Sequence, residues 1–146
     1  MAERKETPEA EAPRFPQRDE DGRIVSLVEA LAYALFMVAV GVVLLCVIDG
    51  LFWIFGESFG QISGWISGIL AVFIFVDDFR AWRFVTARWI VAPVAAALAV
   101  VTGLGLITLL PVWWLPLLTG ALAVASAVVI YTVLWFIGVR LLSGER

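Results

Sequence analysis

Charge and apolar character are sharply segregated along this chain. Residues 30–48 carry no charged side chain, and neither do residues 58–76; each run is 19 residues long. A third uncharged run covers residues 89–139, which is 51 residues, interrupted only by "LPVWWLP" at 110–116. An apolar run of about 18 residues or more is long enough to cross a bilayer as a helix. The last run is too long for one crossing and long enough for two. The pattern therefore predicts four spans, at about 26–48, 59–79, 89–110 and 117–139. A water-soluble core is excluded, because 51 uncharged residues leave no solvated face.

Local signals set the expected boundaries. Asp49-Gly50 reads as a break after the first span, followed by the aromatic stretch "LFWIF". Ser58 and Gln61 form an S-x-x-Q capping box at the start of the second span, and Glu57 suits the positive end of a helix dipole. From 59 to 79 that span rises about 31 Å, close to the roughly 30 Å of bilayer hydrocarbon. Pro93 falls in the first turns of the third span, where a missing N–H matters least. Pro111 and Pro116 bracket the next turn, and Pro116 fits the first position of the fourth helix. The fold expected is an all-α membrane protein: a four-transmembrane-helix bundle over residues 23–146, with a charged elbow at 77–88.

Charge adds the ends and the orientation. The net charge is −3, and most of the acid lies in the first 21 residues, mixed there with Arg and Lys. Three prolines and few large apolar side chains complete residues 1–22, so these are expected as a disordered cytoplasmic tail. The two signs nearly cancel, so the tail is no basic arm and no nucleic-acid partner is expected. The apolar run from Ile24 is too long for a signal-peptide core and lacks an A-x-A site, so no cleaved leader is expected. All ten basic residues lie in the tail, in the 77–88 connector or after Val139. Basic residues stay on the cytoplasmic side. The expectation is a multi-pass protein of the plasma membrane, N-in and C-in. Trp53, Trp113 and Trp114 fall at the outer interface and Trp82, Trp89 and Trp135 at the inner one; Trp65 sits deeper.

The second span repeats glycine every four residues, at Gly60, Gly64 and Gly68, with Ser63 and Ser67 beside them; Gly56 belongs to the turn before. Helices in lipid associate by close packing, which small residues permit. Ala95, Ala99 and Gly103 repeat the spacing in the third span, and Gly120, Ala123 and Ala127 offer a small face in the fourth. Two uses are open: packing the bundle internally, which the other three helices favour, or pairing protomers.

Candidate chemistry is sparse. Glu29 precedes a long apolar run and reads either as an interfacial glutamate or as a proton or cation site. Asp49 and Glu57 read as solvated acids of the outer side. Asp77-Asp78 belongs to an elbow whose Arg80, Arg83, Arg88 and Trp82 meet lipid headgroups or a partner. The chain has no histidine and one cysteine, Cys46, so no disulfide, metal or cofactor is expected. Thr86, Ser26 and Cys46 have no visible base beside them. The expectation is a non-enzymatic accessory or scaffold subunit acting through helix packing, with the bilayer and a membrane-protein partner or second copy as its contacts. The alternative is a small proton- or cation-coupled transporter or channel working as an oligomer through Glu29.

Overall fold

The computed structural model describes residues 15–56 and 60–144. It is all-α, with helices α1 (Leu27–Ile54), α2 (Gln61–Ile66), α3 (Ile69–Ala81), α4 (Arg88–Leu109) and α5 (Pro116–Ser143). Four helical stretches are long and apolar enough to cross a membrane, with α2 and α3 acting together as one of them. Large apolar side chains such as Phe36, Val43, Phe73, Val101 and Leu104 point outward along them. An outward apolar surface of that extent is lipid-facing, and the chain is a multi-pass membrane protein.

Helix α5 is the centre. It packs on α4, α2 and α1, while α1 also borders α2 and α3. One buried cluster is made of small side chains: Ala34 and Val38 from α1, Ala71 from α3, and Val124 and Val128 from α5. Small side chains let the backbones approach, and that approach carries the packing in lipid.

Two boundaries differ from the sequence expectation. The first helix runs unbroken through Asp49-Gly50 to Ile54, 28 residues or about 42 Å. Gly50 meets nothing within 4 Å, so it costs the helix only its propensity, and the apolar residues beyond continue the turn-by-turn hydrogen bonding. The second span is not continuous, because α2 ends at Ile66 and α3 begins at Ile69. Ser67 Oγ–H donates to Gly64 O at 2.5 Å, and the Gly68 N–H donates three residues back to Trp65 O. Ser-Gly pairs and back-bonding serines bend helices in this way. Of the expected capping box, Ser58 lies outside the described residues, as does Glu57.

The break changes how the second span meets its neighbours. On its N-terminal side, α2 presses on α5. On its C-terminal side, α3 stands off from α5 and meets it through rings, Phe75 against Tyr131 at 4.4 Å and Phe79 against Trp135 at 5.8 Å. Helices α3 and α4 do not pack closely, and a cleft of about 590 Å³ opens between them, floored by α5.

Candidate functional site

The only charged side chain buried among the described residues is Asp78, 5% exposed, one turn from the end of α3. Its position follows from helical spacing. Ala71, Ile74 and Asp78 occupy one buried stripe of α3, and Trp82 continues it just beyond the helix. Asp77, one residue earlier, is rotated away; its side chain is 62% exposed and stands 4.0 Å from Arg80.

Both carboxylate oxygens of Asp78 accept hydrogen bonds. The Trp135 indole N–H donates to Oδ2 at 2.6 Å, and the backbone N–H of Ile24 donates to Oδ1 at 3.0 Å. The carbonyl of Ile24 in turn accepts a short bond from Arg140 Nη2. One residue of the N-terminal segment is thus held at both backbone groups, by α3 on one side and α5 on the other. Its side chain is buried with Ala30 and Ile74. A buried backbone group without a partner is costly, so side chains here supply the pairing that a neighbouring strand would give.

The rest of the segment is tied down nearby. Arg18 and Ile24 form an isolated antiparallel bridge around the turn at Gly22, whose φ is +82°. Gln17 N–H donates to Glu29 Oε2 at 2.6 Å, and Phe15 packs on Tyr33. Residues 15–26 therefore cross the charged end of the bundle as a strap. Composition predicts residues 15–22 as part of a disordered tail; the bonds from Glu29, Asp78 and Arg140 are long-range, and composition does not show them. Residues 1–14 of that tail lie outside the described residues.

Cations surround the lock. Trp82 is 1% exposed, with the Arg23 guanidinium 4.3 Å and the Arg140 guanidinium 5.4 Å from its ring centre. Arg140 also lies over Phe136 at 3.4 Å. Stacking a guanidinium on an aromatic face is favourable, and more so out of water. The sequence pattern makes Trp82 and Trp135 interface anchors. Both are internal instead, since each ring fills space between helices rather than at the lipid boundary. Trp53, Trp89, Trp113 and Trp114 are exposed.

The remaining candidate residues fall in separate places. Arg80 and Arg83 are exposed; Arg88 is half-buried, donates to Phe79 O at 3.1 Å and stacks over the Phe79 ring. Glu29 is bonded to the strap. Asp49 lies in the final turns of α1, at the far end of that helix from Glu29.

The small residues divide. Gly60 is not on a helical groove: it precedes α2 with φ +57°, a conformation only glycine adopts easily. A Cβ at Gly64 would stand 2.5 Å from Leu117 O and from Ala121 N, so α5 backbone lies against it. A Cβ at Gly68 would strike the Val124 side chain, and one at Gly103 would come within 2.9 Å of Ala123 O. Ala95 and Ala99 are on the buried face of α4. Ser63 and Ser67 are buried and return their hydroxyls to the carbonyls of Gly60 and Gly64.

Three participants do not stand out in the sequence: Gly41, whose Cβ would collide with Ser67 O; Arg140; and Asp78 as distinct from Asp77. Spacing gives no signal for Asp78, since Leu70, Phe73 and Asp77 form an equally apolar stripe beside Ala71, Ile74 and Asp78. For Gly41 there is none either, because the carbonyl it meets is placed by the break in another helix. No family model, curated protein or solved structure matches the chain.

Proposed function

We propose that this is a non-enzymatic accessory or scaffold subunit of the cell membrane, with the strap, the 82–87 turn and the end of α5 together on the cytoplasmic side. The observation that carries the reading is how the polar groups are used. Each oxygen of Asp78, the buried carboxylate, accepts from an internal donor, and Glu29 is engaged with the Gln17 amide. The hydroxyls of Ser63, Ser67, Thr119, Ser126 and Thr132 all return to carbonyls three or four residues earlier in the chain. Groups committed in this way to internal bonds support a structural role over a conducting or catalytic one. Bond formation by Glu29 also weighs against the transport reading, which needs that carboxylate to exchange its ion.

Orientation is supported by where the described arginines sit. Arg18, Arg23, Arg80, Arg83, Arg88 and Arg140 all lie at the end where α1 and α4 start and α3 and α5 finish, as the contacts of Arg140 with Ile24 and of Arg23 with Trp82 require. Basic residues remain cytoplasmic. That end exposes Arg80, Arg83, Phe84 and Trp89, arginine and aromatic types enriched in protein-contact surfaces.

The test is in-membrane photo-crosslinking from exposed positions Arg83 and Phe84, with Leu109 at the opposite end as control. A discrete protein adduct from the first two and not from Leu109 is expected. Absence of any adduct from the charged end ends the scaffold reading. Flux in liposomes that disappears in Glu29→Gln would replace it by transport.

A further inference from the structure

The cleft between α3 and α4 is bordered by Val72, Val76 and Val100, which belong to the outward apolar surface. Its walls carry Trp65, Phe75 and Phe79 from the broken span and Ala96 and Ala99 from α4; Val128 of α5 lies in its floor. Arg80 borders its charged end. Fifteen residues separate Trp65 from Arg80, a helical rise of about 22 Å. A cleft of about 590 Å³ with apolar walls has room for an extended hydrocarbon chain.

Hydrocarbon gains no hydrophobic energy by leaving the bilayer for an apolar cleft. Any preference for one lipid must come from the headgroup. Phe79 and Arg80 line the charged end of the cleft, and Arg88 stands outside the lining, against Phe79. Arg80 follows it in sequence and makes a loose 4.0 Å contact with Asp77; Arg88 stacks on its ring at 4.6 Å. The Arg88 Nε–H is buried and has no hydrogen-bond partner among the described residues. The acids near Arg80, among them Glu20 and Asp21, line a separate hollow on its other flank. Guanidinium groups bind phosphate oxygens strongly, and basic sites between spans on the cytoplasmic side take anionic headgroups.

We propose that this cleft binds one acyl chain of an anionic phospholipid, whose headgroup phosphate is held by Arg80, with the charge of Arg88 beside Phe79 adding to the attraction. The site is independent of the scaffold reading, since it needs no protein partner.

The experiment is native mass spectrometry of the full chain after reconstitution in equimolar phosphatidylglycerol and phosphatidylcholine. One retained lipid per chain, mainly phosphatidylglycerol, is expected. Ala96→Phe fills the cleft from its exposed wall and is expected to lower occupancy about tenfold, equivalent to about 1.4 kcal/mol. Val101→Phe adds similar bulk on the exposed side of α4 outside the cleft and is expected to retain the lipid. Arg80→Gln is expected to keep a lipid but lose the preference for the anionic headgroup. Circular dichroism identical to the parent shows that each variant is folded. Equal retention of both lipids by the parent, equal loss in Ala96→Phe and Val101→Phe, or a lipid-free dimer in which a second copy covers the cleft would each overturn the proposal.

Discussion

At the scale of single residues, two glycines on different helices separate two physical effects. Gly64 has α5 backbone where its Cβ would be, at 2.5 Å, whereas Gly105 has nothing within 4 Å. Gly64→Ala must push two backbones apart and is expected to destabilise the protein by about 1–3 kcal/mol, the usual cost of overpacking. Gly105→Ala meets only lipid and is expected to gain up to about 1 kcal/mol, since alanine is the better helix former. Thermal or denaturant unfolding in a mild detergent measures both; equal effects would show that the close approach at Gly64 carries no weight. The sequence shows Gly64 as one member of a regular series. It does not show that Gly60 falls outside the helix, because spacing is blind to the sign of φ. Nor does it show which of Asp77 and Asp78 turns inward: neighbours on a helix are about 100° apart, and only the packing of α3 decides between them.

At the scale of elements, the strap is the part that composition conceals. Its residues are polar and charged, and taken alone they cannot bury enough surface to stay ordered. They are held by donors and acceptors on helices far away in sequence. Asp78→Ala is therefore expected to act on the strap more than on the spans. It leaves the Ile24 N–H and the Trp135 indole N–H without their acceptor, at about 1–3 kcal/mol for each group that stays buried. Hydrogen exchange of the amides between 17 and 25 is expected to rise while that of α4 is unchanged; equal acceleration in α4 would mean that Asp78 supports the whole bundle instead. Arg140→Gln is expected to give the same pattern, and the two effects together should fall short of additive, because both residues hold Ile24. The four spans, by contrast, are legible, since lack of charge over 19 or more residues is a property of the sequence itself. The break at Ser67-Gly68 is not: the same small residues read equally well as a packing face.

At the scale of the whole molecule, orientation is the property most easily overturned. In a Cys46→Ser background, Val112→Cys is expected to react with a membrane-impermeant maleimide on intact cells, and Phe84→Cys only after permeabilisation. Both positions are open, at 98% and 77% exposure, so burial does not confound the result. The reverse pattern would invert the protein and move its charged end outside. The bond between Arg140 and the Ile24 carbonyl spans 116 residues of sequence. During synthesis the strap emerges from the ribosome first, but its latch is translated last. Glu29 and Asp78 are translated well before it and hold Gln17 and Ile24 on their own, so the Arg140 bond can close only once the fourth span has been made, and a nascent chain halted before Arg140 keeps the strap by its other bonds alone.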